Sequence, residues 1–366
     1  MFELQAVLGF FIVFGILKWV YGSPKIKDAE PPPDNFGTKE VPFGRTDPKT
    51  FDEYKGQERV KRLLKLTLDT VFHNPHPKLL LVAPKGVGKT ALAKIFAHAY
   101  LQKIRQHAPG SGRYIELVAS TIRNKADLDN FMRRLRLWDV VFMDEVHLLR
   151  RRHADTLLTA LAENRYPFAE GMSELPTSFV WLAATTDVGL LPEAFRDRFQ
   201  VIKLDHLDIA ALTEIAMSQD LPVAREAARE IAVRAVGYPR EIKRVYARAR
   251  DVALQAGSSE VTLEHAQVAF DLIGLDSNGL YPEDYEVLKV LYEHPKFYAP
   301  RKDGTRPMRY AQSERVVRAL TGMDESLYRD SVEPKLLRLG LITVSSAGRE
   351  LTDKGLALVK SLRKTR

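Results

Sequence analysis

Two short runs, Ala83-Pro84-Lys85-Gly86-Val87-Gly88-Lys89-Thr90 and Val140-Val141-Phe142-Met143-Asp144-Glu145, decide most of what this chain can fold into. Each sits at the end of an apolar, strand-like segment, and the first opens a helical pattern near Thr90. That context lets backbone N–H groups close around phosphates. Gly86 and Gly88 permit an approach that a Cβ would block, and Val87 and Ala91 complete the loop and the first helical turn. Lys89 offers a point charge to the outer phosphates, and the Thr90 hydroxyl is a ligand for magnesium. Asp144 is placed to hold the same ion through water, and Glu145 to polarise the water that attacks the γ-phosphate. Either run alone also suits an ordinary turn or a solvated strand end. In this order they specify an ATPase using ATP and Mg2+. Ala83 stands where such loops usually carry their first glycine.

At 366 residues the chain has room for two or three domains with cores of their own. It has no cysteine, which excludes disulfides and thiolate metal sites. The nine histidines show no metal-ligand spacing. A net charge of +8 suits an anionic partner, either nucleic acid or a phospholipid surface.

Residues 4–20 read LQAVLGFFIVFGILKWV. As a helix from Phe2 to Tyr21 the segment would be roughly 30 Å long, enough to cross a bilayer. Trp19 and Tyr21 suit the interface, Lys18 can snorkel to the headgroups, and Lys25 and Lys27 place the remainder on the cytoplasmic side. A single transmembrane helix over 1–22 in the cytoplasmic (inner) membrane is the expectation. A signal peptide would need a basic start and a surface helix a polar face, and neither is present. A buried oligomerisation helix stays open. Residues 23–50, with Pro31-Pro32-Pro33, read as a flexible tether.

From residue 51 apolar strands alternate with helical patterns, the signature of an α/β domain whose parallel sheet is covered by helices. Strands are expected at 79–82, 114–118, 140–143, 179–183 and 201–204. The large ATPase domain is assigned to 51–204, an all-helical lid to 205–275 and a winged helix to 276–366. In the last, helices are predicted at 284–293, 313–320 and 326–339, followed by a hairpin pairing 341–344 with 349–352. A basic cluster, Arg301, Lys302, Arg306, Arg309, Arg315 and Arg318, is interleaved with Tyr298 and Tyr310 and opposed locally by Asp303 and Glu314. Such clusters contact phosphates or simply face solvent.

The chain resembles the RuvB family of Holliday-junction branch-migration motors, in the AAA+ branch of P-loop proteins. The resemblance rests on Asp47-Pro48-Lys49-Thr50-Phe51-Asp52-Glu53-Tyr54-Lys55-Gly56-Gln57, Asp144-Glu145-Val146-His147, Ala184-Thr185-Thr186, Phe195-Arg196-Asp197-Arg198-Phe199, Gly237-Tyr238-Pro239-Arg240 and Val332-Glu333-Pro334-Lys335-Leu336-Leu337 with Gly348-Arg349. It implies that Tyr54 lies on the adenine side, that Thr186 senses the γ-phosphate and that Arg240 is a second sensor on the lid. It further implies that Arg198, with Arg196 beside it, enters a neighbouring subunit's site in a homo-oligomeric ring, a hexamer. DNA would be held by Arg349, Arg301, Lys302, Arg306 and Arg309. Two departures stand out. The wing keeps only Arg349 of the family's several arginines, and the stretch 162–178 is shorter than the segment with which RuvB docks on RuvA. The second puts a RuvA-type partner in question. Two functions follow: a membrane-tethered motor that translocates or remodels DNA, or a membrane-associated ATPase that remodels an unknown protein partner.

Overall fold

The apolar runs of the large domain assemble into one sheet. In this computed structural model the described residues are 37–74, 76–297 and 308–364, and from Thr38 onward they belong to one unit, Thr38–Arg366. The large domain runs α1 (Glu58–Asp69), β1 (Lys78–Val82), α2 (Lys89–His107), β2 (Tyr114–Val118), α3 (Lys125–Arg133), β3 (Val140–Asp144) and α4 (Arg151–Glu163). It continues through a hairpin, β4 (Arg165–Phe168) with β5 (Gly171–Glu174), then β6 (Val180–Thr185), α5 (Glu193–Arg196) and β7 (Gln200–Lys203). The five long strands lie in the order β2-β3-β6-β1-β7, and every adjacent pair is parallel. β6 is buried along its whole length and β3 up to its last residue, which is why both read as unbroken apolar runs.

Asp139 pins the start of β3. Its carboxylate is fully buried and accepts hydrogen bonds from the backbone N–H of Arg113 at 3.0 Å and of Arg136 at 2.8 Å. The Arg113 guanidinium adds bonds of 3.2 and 2.7 Å. A carboxylate so deep is tolerated only when its lone pairs are filled.

The expected tether ends early. Thr38 exchanges two 2.8 Å backbone hydrogen bonds with Tyr114 at the sheet edge, and Val41 is buried. An unpaired edge strand offers donors and acceptors that capture an adjacent extended segment. Among the described residues no helix is long and apolar enough to cross a membrane. The expected anchor, residues 1–22, lies outside the described residues.

The lid comprises α6 (Ile209–Met217), α7 (Arg225–Arg234), α8 (Pro239–Gln255) and α9 (Leu263–Ile273) around an alanine-rich core. Small side chains on α7 to α9 let the helices approach closely. Pro239 occupies the first turn of α8, where its missing N–H leaves no bond unmade.

The C-terminal domain is a winged helix. It contains α10 (Pro282–Glu293), β8 (Lys296–Phe297), β9 (Met308–Arg309), β10 (Ala311–Gln312) and α11 (Glu314–Thr321). After α12 (Glu325–Leu327) and α13 (Glu333–Arg338) come the wing strands β11 (Ile342–Ser345) and β12 (Gly348–Leu351), and then α14 (Asp353–Lys364). The single helix expected over 326–339 is interrupted by a π turn, Tyr328–Val332. Pro334 has no N–H for the carbonyl of Asp330 and would crowd it in a regular helix, so the backbone widens just upstream. The wing pairs Ile342 with Leu351 and Ser345 with Gly348, one residue inside the expected hairpin.

Asp139→Ala strands the buried Arg113 guanidinium, and removal of one partner from such a pair costs about 3–5 kcal/mol. Chemical denaturation of this variant is expected to show a loss of that size, with ATPase activity falling in step with the folded fraction.

Candidate active site

Because all five strands run the same way, β1, β3 and β6 deliver their C-terminal loops to one edge of the sheet. A cavity of about 800 Å³ opens there, and the phosphate loop, the acidic pair and the lid all line it. It brings together Tyr54, Gly86, Val87, Gly88, Lys89, Thr90, Ala91, Asp144, Glu145 and Arg240. It also contains residues to which the sequence reading gave no role: Arg45, Lys49, Lys85 and Lys243 add positive charge, while Leu207 and Ile215 supply an apolar wall. Arg45 and Lys49 could have been suspected from the segment around Asp47 and Lys85 from the phosphate loop, whereas Lys243 arrives on α8. The apolar pair has no local signature, because it comes from the linker into the lid and the first lid helix.

The glycines of the loop are required by geometry. Gly86 and Gly88 have φ of +85° and +113°, and a Cβ on Gly88 would lie 2.7 Å from the Tyr54 hydroxyl oxygen. Lys89 is buried, and its ammonium donates to the carbonyl oxygens of Ala83 at 2.8 Å and Pro84 at 3.3 Å. Burial pushes its pKa below the usual lysine value, with Glu145 and Asp144 acting the other way. The ammonium is thus tethered by neutral carbonyls that a phosphate oxygen outcompetes.

Thr90 Oγ1 donates to Asp144 Oδ2 at 3.3 Å, so a hydroxyl and a carboxylate share one small space beside Lys89. Oxygen ligands of this kind fit Mg2+, which binds through one or two protein groups plus substrate phosphates. Among the described residues no group of three or more His, Asp or Glu is placed to hold a metal ion.

Glu145 adopts a left-handed backbone, φ 49° and ψ 46°, at the end of β3. Its Oε2 is buried without a hydrogen-bond partner. His147 Nδ1 sits 3.4 Å from that oxygen and 3.0 Å from Thr185 Oγ1. His147 therefore bridges the acidic residue and the adjacent strand β6, a role the sequence concealed because Thr185 lies far along the chain. Thr186 lies at the bend just after β6, half-buried and outside the cavity lining.

Tyr54 is the clearest candidate for contact with a nucleotide. Its ring is buried, its hydroxyl has no partner, and burial raises its pKa far above the usual phenol value, so it stays a donor. On the same side Asp47 accepts a 2.5 Å bond from Lys243 of α8, tying the N-terminal segment to the lid.

Arg196 and Arg198 do not line this cavity. Phe195 and Phe199 are buried and pack at 5.3 Å, leaving Arg198 exposed between them on the turn into β7. Arg196 lies 4.0 Å from both Glu193 and Asp197, whereas Arg198 has no acidic partner among the described residues. Asp197, the nearest acid in sequence to Arg198, faces Arg196 instead.

The winged helix corrects the expected basic surface. Arg349 is not free for a phosphate: its guanidinium bonds Glu333 through Nε and Glu314 through Nη2 at 2.9 Å. Arg318 lies 3.0 Å from Glu325, and Arg309 lies 3.6 Å from Glu350. Glu333 and Glu350 are brought in by folding from outside the basic cluster, whereas Glu314 lies within it and Glu325 just beyond it. Arg301, Lys302 and Arg306 fall outside the described residues.

Tyr54→Phe removes a buried hydroxyl that lacks a protein partner. ATP affinity is expected to fall by about twofold to tenfold, the worth of one hydrogen bond. Thermal stability without nucleotide should hold or rise, and calorimetry with and without ATP measures both.

Comparisons with known proteins agree with this geometry. Residues 46–204 match the Holliday junction DNA helicase RuvB P-loop domain, 209–276 the RuvB AAA lid domain and 313–360 the RuvB C-terminal winged helix domain. The Holliday junction branch migration complex subunit RuvB of Myxococcus xanthus is 31% identical over 84% of this chain and 87% of its own length. A second relative, RuvB 2 of a Synechococcus strain, is 29% identical over 84% of this chain and 81% of its own. The solved structure of the Thermotoga maritima RuvB Holliday junction branch migration motor superposes with a TM-score of 0.71 at 26% identity, covering 86% of this chain and 98% of that one. With the loop, the acidic pair, the lid and the winged helix all in place, the chain belongs to the RuvB family and is a P-loop ATPase.

Proposed function

We propose that this protein is a ring-forming, ATP-driven motor that moves or remodels DNA, held at the cytoplasmic membrane by its N-terminal apolar segment. One observation carries the ring: Arg198 is exposed, unpaired by any described acid and absent from its own chain's cavity, so its charge is available to a neighbour's nucleotide. Action on DNA is supported by membership of a family whose relatives are named for Holliday junction branch migration. The tether is supported by residues 4–20 of the sequence.

In this reading the backbone amides of the phosphate loop and Lys89 receive the β- and γ-phosphates. Thr90 and Asp144 would hold magnesium, which would supply positive charge to offset that of the phosphates. Glu145 draws a proton from the water that attacks the γ-phosphorus. The bond to the β–γ bridging oxygen breaks, and ADP and phosphate leave. His147, between Glu145 and Thr185, fixes the carboxylate's orientation, and Arg240 on α8 carries the change to the lid.

The neutralised wing, with Arg349 committed to Glu333 and Glu314, favours one alternative: a winged helix that grips a protein and spares DNA contact to other surfaces. The ATPase rate separates the readings. Four-way junction or duplex DNA is expected to stimulate the rate severalfold at low salt and to lose that effect as salt rises. Equal rates with and without DNA would leave the protein-directed reading standing.

Two further outcomes are expected. Arg198→Ala and Glu145→Gln are each nearly inactive alone, since an arginine finger is worth roughly 10³–10⁵ in rate. Mixing them restores activity, because seams that join an intact Glu145 to an intact Arg198 reappear; absence of rescue rejects the shared site. Deletion of residues 2–21 moves the protein from the membrane fraction to the supernatant with its ATPase retained, and an unchanged distribution rejects the anchor.

A further inference from the structure

The winged helix meets the phosphate loop at one place and the turn leading to Arg240 at another. Lys85, the exposed lysine of the phosphate loop, donates to Asp330 Oδ2 at 2.6 Å. Ser326 Oγ also donates to that oxygen, at 2.9 Å. Arg338, at the end of α13, donates from Nε to the carbonyl oxygen of Val236 at 2.6 Å. A Cβ on Gly237 would meet this guanidinium and push it aside, and its φ of +88° itself favours glycine. Val236 has φ of +50°, a region that β-branched residues rarely enter, and it begins the turn Gly237-Tyr238-Pro239 that presents Arg240 to the cavity. Asp330 sits in the π turn, so the irregularity caused by Pro334 is also the point of contact with the loop. π turns of this kind concentrate at functional positions.

Charge accounting decides what the first contact does. Lys85 lines the nucleotide cavity together with Lys89, and a second cavity of about 360 Å³ continues behind it between Arg240, Lys335 and Asp330. The Lys85 ammonium therefore stands between two acceptors, a carboxylate of the winged helix and the polyphosphate of ATP. ATP carries several negative charges where Asp330 carries one. Burial works against ionisation of Asp330, yet the bonds from Lys85 and Ser326 hold its carboxyl below the usual aspartate range, so it remains a competitor at neutral pH.

We infer that Asp330 is a positioning residue that holds Lys85 in the nucleotide-free protein, and that ATP opens this latch by taking the ammonium. Opening frees the π turn of the winged helix while Arg338 keeps its grip on the second-sensor turn, so the domain swings about Val236 and does not detach. The phosphate loop thereby reports its occupancy to the C-terminal domain directly, in addition to the route through the lid. This inference rests on the reading that ATP binds at this loop.

The test uses the full chain and two readouts. ATP affinity is measured by calorimetry for the parent, Asp330→Ala, Asp330→Asn, Lys85→Ala and the double variant Lys85→Ala/Asp330→Ala. Because the chain has no cysteine, Arg62→Cys and Leu320→Cys, both exposed, accept spin labels without background. An exposed ion pair is weak, so Asp330→Ala is expected to tighten ATP binding by a factor of about two to five. The gain should disappear when Lys85 is alanine. The label distance should shift on addition of ATPγS to the parent, and Asp330→Ala should show the shifted distance without nucleotide. Unchanged affinity together with an unshifted distance in Asp330→Ala overturns the latch, and so does an equal gain in the Lys85→Ala background. Failure of the parent to bind ATP rejects the underlying reading.

Discussion

Parallel pairing of β1 with β6, and of β6 with β3, is the constraint on which the molecule depends. Parallel strands share one carboxyl edge, so three loops separated by tens of residues arrive at a common line. One loop cradles phosphate, one ends in Asp144 and Glu145, and one carries Thr185 and Thr186. Register then does the remaining alignment: Val82 is opposite Thr185, and Met143 opposite Ala183. The buried Asp139 fixes the height of β3 from its other end. Chemistry at the top of the sheet is therefore set by an ion pair at the bottom.

The large domain was legible because its strands are buried and its loop uses glycines for steric reasons. Strand ends differ by a residue or two, as at β6, which continues to Thr185, and at β7, which starts at Gln200. What could not be read was anything held by partners remote in sequence. Asp139, the docking of Thr38 on Tyr114 and the apolar wall of Leu207 and Ile215 depend on tertiary neighbours. The break at Tyr328–Val332 had a local cause in Pro334 and could have been foreseen.

The winged helix shows how a matching motif can mislead about chemistry. Glu333, Lys335 and Arg349 belong to the segments that carried the family resemblance, and all three are held in ion pairs. Lys335 lies 2.7 Å from the buried Asp284, and Arg349 closes on Glu333 and Glu314. The sequence cluster counted positive residues within a short window, whereas the fold supplied Glu325, Glu333 and Glu350 from outside it. Charge along a sequence and charge on a surface are different quantities whenever acids return from elsewhere in the chain.

The left-handed backbone of Glu145 has an effect beyond aiming its carboxylate. A side chain in that region is strained by about 1 kcal/mol, and glycine would adopt the same conformation freely. Replacement by glycine would also remove a buried oxygen that lacks a hydrogen bond. The residue assigned to the chemistry is thus one that folding alone would discard. A population of variants screened only for heat resistance should drift toward inert proteins at this position, and only a demand for turnover keeps the glutamate there.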